Sequence, residues 1–209
     1  LNLDHRVKET MTMTKADKLW KKISRPAVIL ALAFLGLVII TVSGLAAEKI
    51  MLMVSGGYIF PTDAGYKNVY GETLFVPEFK LGVRVIDNLY VYGLFMTGSK
   101  DGTTPDLELP THSRQQFYGG GLGYFPTIGR HLKVFVGAGV ANASYKEEAM
   151  ELTVKGNKVA LNLEAGIYYK EKFLFSGLEA GYCQTKDSYE GADFKIGGAR
   201  LSLVLGVLF

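Results

Sequence analysis

The chain has 209 residues, of which 48% are hydrophobic and 21% are charged, and this composition excludes a disordered or acidic-tail protein. Its single cysteine, Cys183, excludes an intramolecular disulfide and a cysteine-based metal cluster. The net charge of +3 is concentrated at the N-terminus, because residues 1–47 hold seven of the 23 Lys and Arg but only three of the 20 Asp and Glu. The remainder is nearly neutral and gives no reason to expect a nucleic-acid partner.

The first 47 residues have the layout of a secretory signal peptide. An apolar run at 27–40 is followed by the small residues Ser43, Gly44, Ala46 and Ala47. The basic residues that precede the run are Lys15, Lys18, Lys21, Lys22 and Arg25. The pattern predicts an N-terminal signal helix cleaved after Ala46 or Ala47, and hence two parts, 1–47 and 48–209. An uncleaved anchor is the alternative, since the apolar stretch is long for a signal core and short for a span.

Eight segments after residue 47 alternate between apolar and other side chains, which predicts β-strands. In the second segment, Phe79, Leu81 and Val83 share one face, while Lys80 and Arg84 share the other. Each segment has at least about ten residues, the length that a tilted strand needs to cross a bilayer. The segments are 49–60, 73–86, 88–98, 114–126, 130–144, 157–170, 172–185 and 194–209.

The connections between these segments are short and long in turn. Short ones lie at 87–88, 127–129 and 171, and long polar ones lie at 61–72, 99–113, 145–156 and 186–193. Such alternation is typical of an up-and-down barrel in an outer membrane, with short turns on the periplasmic side and long loops outside. The fold class predicted is therefore all-β, an eight-stranded antiparallel transmembrane β-barrel. Pro77 is expected near its outer rim, because proline cannot donate to a ladder.

A soluble periplasmic β-sandwich or lipocalin-like barrel is the alternative architecture, because its strands also alternate. It would place apolar side chains inside and charges outside, which is the reverse of the transmembrane arrangement. The burial of the leucines and of the charged residues therefore separates the two.

The last segment resembles the closing strand of bacterial outer-membrane barrels, which ends in an aromatic residue preceded by apolar residues at alternate positions. The matching residues are Leu203, Leu205, Val207 and Phe209. The stretches 56–58, 119–124 and 179–182 are similar to strands of the small-barrel families typified by OmpA, OmpX and OmpW. The resemblance implies outer-membrane localisation after export, and contact with lipid and lipopolysaccharide. It also implies recognition of the last strand by the barrel-assembly machinery, and a monomer.

The face predicted to point inward carries seven charged residues: Glu78, Lys80, Arg84, Lys133, Glu164, Glu179 and Arg200. An eight-stranded bore is largely filled by side chains, and isolated buried charges are costly. We therefore expect an ionic network, which either plugs the bore or forms a gate in a polar path. The mid-strand glycines, among them Gly166 and Gly206, are expected to make room for large neighbours.

Eight tyrosines are expected toward strand ends or on outward faces, where some would form the aromatic girdles at the two membrane interfaces. They are Tyr58, Tyr90, Tyr92, Tyr118, Tyr124, Tyr168, Tyr169 and Tyr182.

Catalysis is not expected, and neither is a metal or another cofactor. His112 and Ser113 are the only adjacent His and Ser, with Asp106 and Glu108 nearby in sequence, so a nucleophile, base and acid could in principle assemble there. Three functions remain open. The first is a structural or surface-interaction barrel, the second is a narrow channel or carrier for small hydrophobic solutes, and the third is a lipid-modifying enzyme.

Overall fold

The computed structural model describes residues 48–105, 108–150, 152–189 and 191–209. In this part of the chain, eight long antiparallel strands form a closed barrel. One short helix and one two-residue strand lie in the connections between them. In chain order the elements are β1 (Ile50–Pro61), α1 (Ala64–Tyr70), β2 (Leu74–Ile86), β3 (Leu89–Thr103), β4 (Pro110–Tyr124), the two-residue β5 (Thr127–Ile128), β6 (Leu132–Ala149), β7 (Leu152–Glu171), β8 (Leu174–Tyr189) and β9 (Ala192–Leu208). The prediction of an eight-stranded up-and-down barrel is confirmed.

The sheet closes because β1 pairs with β9 and β4 pairs with β6. The first and last strands pair from Met51 with Leu208 to Pro61 with Gly198. The final residue continues this ladder, since the Phe209 N–H donates to the Ile50 carbonyl at 2.9 Å and the Ile50 N–H donates back at 3.0 Å. Closure gives each of the eight long strands a partner on both sides, which is what a sheet in hydrocarbon requires.

Pro77 lies at the limit of one ladder. It pairs with Gly56 of β1, whereas the pairing between β2 and β3 begins only at Glu78, opposite Met96. Because proline has no N–H to offer, the ladder between β2 and β3 ends where Pro77 stands, on the side of the long connections.

Many large apolar residues of the strands, most leucines and valines among them, point outward. Leu161, Leu163, Leu203 and Leu205 are 55%, 43%, 70% and 56% exposed, whereas Glu164 is 4% exposed. This orientation is the one expected of a membrane barrel and the opposite of a soluble sandwich.

Three of the four long connections are mostly strand. Hairpins continue β3 to Thr103, β6 to Ala149 and β8 to Tyr189, so most of the stretches predicted as loops at 99–113, 145–156 and 186–193 are paired backbone. The prediction failed there because polar residues stand on both faces of these extensions, and alternation disappears where both faces meet water.

The remaining long connection contains α1. Asp63 caps the helix by accepting the Tyr66 N–H at 2.9 Å through Oδ1. Its other carboxylate oxygen accepts the Lys195 N–H of β9 at 2.9 Å, so one side chain both starts the helix and ties it to the barrel.

Ala46 and Ala47 lie outside the described residues, as does the predicted signal peptide. None of the helices in the described ranges is both long and apolar enough to cross a membrane.

Candidate functional site

Five of the seven predicted interior charges meet at mid-height in the bore. Lys80 of β2 lies 2.8 Å from Glu164 and 3.0 Å from Glu179, and 3.6 Å from Glu78. Arg200 of β9 lies 3.1 Å from Glu78 and 2.9 Å from both Glu164 and Glu179. All five side chains are almost fully buried. We call these residues the charged plug; each of its cations contacts all three carboxylates, which offsets the cost of removing the charges from water.

The three carboxylates of the charged plug lie close enough together to hold a metal ion. Lys80 and Arg200 already lie among them and supply their counter-charges. The donor set therefore fits internal ion pairs better than a resident cation.

An aromatic layer lies next to the charged plug on the side of the short turns. Phe125 packs edge-on against Phe135, Tyr168 and Phe175, with ring centroids 5.4–5.7 Å apart. The Tyr168 hydroxyl donates to Glu179 at 2.6 Å, and the Lys80 ammonium lies 4.9 Å from the Phe135 ring centroid. The aromatic layer and the charged plug together fill this part of the bore and bind to each other.

Two glycines make room for this layer. A Cβ at Gly206 would lie 2.1 Å from the Phe175 ring, and one at Gly166 would lie 2.2 Å from the Tyr168 hydroxyl. Any larger residue would have to displace an aromatic ring, so these positions require glycine for space.

The other two predicted interior charges lie outside the charged plug. Lys133 is fully buried, but its ammonium contacts Glu48 at 2.9 Å. Arg84 is half-buried near the end of β2. The alternation of side chains predicts which residues face inward, but not that these two stand at a different height.

Glu48 precedes β1 and connects three strands at the short-turn end. It binds Lys133 and Lys170, and its carbonyl accepts the Tyr90 hydroxyl at 2.7 Å. Partial burial alone would raise the pKa of Glu48, but the hydrogen bonds from Lys170 and Lys133 outweigh it and hold this pKa below its ordinary value of 4.5.

A cavity of about 290 Å³ lies under α1 at the other end of the bore. Its walls include Val69, Tyr70 and Ile196. Gln115, which is 4% exposed, contributes an oxygen with no hydrogen-bond partner in the described part of the chain. Burial raises the pKa of Tyr66 to about 12, so its hydroxyl stays protonated and able to donate. The cavity is thus mainly apolar and has a few polar groups.

Sequence reasoning missed this cavity, because the connection that contains α1 was predicted to be loop. The signal available was Asp63 just ahead of α1, since Asp is a favoured N-cap residue.

His112 and Ser113 cannot form a nucleophile and base pair as they stand. Adjacent residues of a strand point to opposite faces. Ser113 is fully buried and donates to Glu147 at 2.6 Å, whereas His112 lies on the other face, 2.7 Å from Asp101. Glu108 is exposed in the hairpin, and Asp106 lies outside the described residues.

Three of the tyrosines expected at the interfaces point into the bore instead. Tyr90, Tyr92 and Tyr168 are at most 2% exposed. Each occupies an inward register position, and glycines next to Tyr92 and Tyr168 provide space for their rings. The others expose a large part of their rings: Tyr58, Tyr118, Tyr124, Tyr169 and Tyr182.

The predicted C-terminal assembly signal is split between two environments. Leu203 and Leu205 are exposed on the apolar outer face, while Val207 and Phe209 are 6% and 8% exposed. Recognition of these four residues by assembly machinery stays a prediction.

No family model matches the chain, and no curated protein does. Several solved structures match the chain. Neisserial surface protein A, NspA, aligns with a TM-score of 0.57 and 13% identity over 77% of this chain and 97% of its own. Ail, the attachment invasion locus protein of Yersinia pestis, aligns with a TM-score of 0.50 and 12% identity over 78% of this chain and 100% of its own. Ail in complex with the heparin analogue sucrose octasulfate aligns with a TM-score of 0.53 at 13% identity, over 78% of this chain and 100% of that one.

These alignments span nearly the whole length of each compared barrel. Because the sequence identity is only 12–13%, they show a shared fold and no more. They agree with the closed eight-stranded sheet described above. By its fold, this protein is a small eight-stranded β-barrel of the bacterial outer-membrane type.

Proposed function

We propose that the protein resides in the outer membrane after export and acts there as a structural and surface-interaction barrel, with its long hairpins outside the cell. We also propose that it is a monomer and has no catalytic role. The observation that carries the proposal is the combination of a filled bore with polar hairpins that rise from one end of the barrel.

The hairpins supply the interaction surface. Beyond the exposed apolar residues Tyr118 and Val159, the ends of β4, β6 and β7 present mainly polar side chains on the outward face, including Arg114, Lys146 and Lys155. A paired sheet presents such side chains in fixed positions, unlike a mobile loop, and fixed positions favour recognition of a partner.

The filled bore argues against transport. The charged plug and the aromatic layer occupy it from wall to wall, and eight strands leave little room around them. We therefore expect no current steps from the purified protein in planar bilayers. Regular unitary conductance would instead favour the channel hypothesis.

Surface labelling of cells tests localisation and orientation together. Lys155 and Lys172 are exposed positions at opposite ends of β7. We expect Lys155→Cys to react with a membrane-impermeant maleimide in intact cells, and Lys172→Cys to react only after the outer membrane is permeabilised. The native Cys183 is buried, so it provides the unlabelled background. Labelling of Lys172→Cys alone in intact cells would overturn the orientation.

The cavity under α1 supports a second candidate function, the binding of a small hydrophobic molecule. The charged plug lies further along the bore, so the cavity is suited to holding a ligand rather than passing it on. Titration with a fluorescent fatty-acid analogue tests this. Binding that is lost in Val69→Trp, which would fill the cavity, supports it, and equal binding by this variant counts against it.

A further inference from the structure

The wall of the cavity under α1 contains a carboxylate that has no cation beside it. Glu147 stands on the inward face of β6, opposite Ser113 of β4 in register, and accepts the Ser113 hydroxyl at 2.6 Å. Among the described residues, no lysine, arginine or histidine lies within ion-pair distance of Glu147. The adjacent Lys146 points to the outward face and contacts Glu148 instead. Glu147 thus differs from the carboxylates of the charged plug, which all contact cations.

Partial burial makes the negative charge of Glu147 costly. Burial raises the pKa of Glu147 above its ordinary value of 4.5, and the hydroxyls of Ser113 and Tyr70 offset this only in part. The fold gains nothing from a carboxylate that is held away from water without a counter-charge. A cation that entered the cavity would supply that counter-charge.

A second acceptor without a partner faces the same cavity. Gln115 is 4% exposed, and its side-chain oxygen has no hydrogen-bond partner within the described ranges. It pairs in register with Tyr145, which lies two residues before Glu147 on β6. The two acceptors are therefore diagonal neighbours on one face of the sheet, about 7–8 Å apart along the backbone. A group with several N–H donors, such as an ammonium, can bind both side chains at once.

Four aromatic rings line the cavity around these acceptors. Tyr66 and Tyr70 of α1 have ring centroids 4.7 Å apart, and Tyr145 and Phe194 on the barrel wall have centroids 5.3 Å apart. Aromatic faces attract cations, so the rings favour the same kind of ligand as the two acceptors do.

The other charged residues at the wall do not neutralise Glu147. The carboxylate of Asp63 accepts the backbone N–H groups of Tyr66 and Lys195. The side chain of Lys195 is exposed, as is Gly65. Both residues border the cavity, so its rim is open to water and a ligand can enter there.

We propose that the cavity under α1 binds a small primary ammonium ion with an apolar body. The ammonium donates to Glu147 and Gln115, and the body packs against Val69, Tyr70 and Ile196. At about 290 Å³ the cavity is close to the lower end of the range for ligand sites, so the ligand is small. This inference rests on the second candidate function proposed above and identifies the polar end of the ligand.

Calorimetric titration of the full chain in a neutral detergent tests the site with two probes of nearly the same shape. Phenethylamine is protonated at neutral pH and carries the ammonium, whereas phenethyl alcohol has a hydroxyl in its place. Both are titrated into the native chain, Glu147→Gln and Glu148→Gln. The last variant is the control, because it removes the same charge from the next residue, which points to the opposite face.

We expect the native chain to bind the ammonium probe about 10- to 100-fold more tightly than the alcohol, the factor that corresponds to a hydrogen bond with a charged group. Glu147→Gln should lose most of this preference, and Glu148→Gln should keep it. Glu147→Gln should unfold at the same urea concentration as the native chain or a higher one, because an unpaired charge is removed. Equal binding of the two probes by the native chain, or an unchanged preference in Glu147→Gln, would overturn the inference.

The two probes also separate this inference from the candidate function on which it rests. If both probes bind the native chain equally and Val69→Trp binds neither, the cavity holds apolar molecules and only the assignment of an ammonium is wrong. If neither probe binds the native chain, the result counts against ligand binding in the cavity as well.

Discussion

At the scale of single residues, the alternation of side chains was sufficient to predict that Glu78, Lys80, Glu164, Glu179 and Arg200 face the bore. It could not predict their contacts, because pairing depends on strand register and on the height of each residue. Lys133 illustrates the limit, since it faces inward as expected but binds Glu48, a residue that lies before the first strand. Likewise, Tyr92 and Tyr168 face inward where adjacent glycines leave space for their rings, which composition alone does not reveal.

Arg200→Met tests the energetic role of the charged plug. Three carboxylates would then face one cation, and removing one member of a buried ionic cluster costs about 3–5 kcal/mol. We expect a lower midpoint of urea unfolding in detergent, followed by circular dichroism. The matched control is Arg130→Met at an exposed turn position, which should leave the midpoint unchanged. Equal midpoints for both variants would contradict the role assigned to Arg200.

Gly206→Ala tests the packing of the aromatic layer. The added methyl would lie 2.1 Å from the Phe175 ring, and overpacking of this kind costs about 1–3 kcal/mol. Gly56→Ala is the control, because its nearest contact would be an ordinary 3.5 Å. In the same urea unfolding experiment, the midpoint should fall for Gly206→Ala only. An equal fall in the midpoint of Gly56→Ala would exclude packing against Phe175 as the cause.

Glu48→Gln tests the ion pairs at the short-turn end through their pH dependence. Because the folded state holds the pKa of Glu48 below 4.5, this group stabilises the barrel above that pH, and the contribution is lost as the pH falls through the folded pKa. The difference in unfolding free energy between the native chain and Glu48→Gln should be up to about 1 kcal/mol at neutral pH, since the site is partly solvated. It should shrink below pH 4.5, and a difference that grows with acid would be the opposite of this expectation.

At the scale of elements, the number and direction of the long strands were predictable from the sequence. The extension of these strands into the long connections was not. Period-two alternation reports a difference between two faces, and it fades where β3, β4, β6 and β7 leave the apolar belt. The helix α1 was missed for a related reason, because seven residues are too few to show a helical period.

Asp63→Ala tests what holds α1 in place. The variant loses the N-cap bond to the Tyr66 N–H and the bond from the Lys195 N–H, and loss of a cap costs about 0.5–2 kcal/mol. Hydrogen exchange should accelerate at both amides. Asp193→Ala, at an exposed position of β9, is the control and should leave both rates unchanged. Unaltered exchange in Asp63→Ala would show that packing alone holds the helix.

At the scale of the whole molecule, the inside-out arrangement of the barrel explains the position of its leucines, its backbone and its charges. Outward leucines require an apolar surrounding, a closed ladder satisfies the backbone within it, and inward charges are tolerated because they pair. This arrangement was predictable because closure and inside-out patterning are imposed by the lipid environment rather than by any single contact. The cavity under α1 was not predictable, because its walls come from α1, β4, β6 and β9, which are far apart in sequence.

The most direct test of this arrangement measures the surroundings of single outward residues in a lipid bilayer. Nitroxide labels would be attached at Leu163→Cys, Leu203→Cys and Lys155→Cys in a Cys183→Ala background, and their collision rates with oxygen and with a water-soluble nickel chelate compared. We expect labels at the two leucine positions to collide mainly with oxygen, which concentrates in lipid, and the label at Lys155 to collide mainly with the chelate. Labels at both leucine positions that collide mainly with the chelate would contradict the transmembrane arrangement.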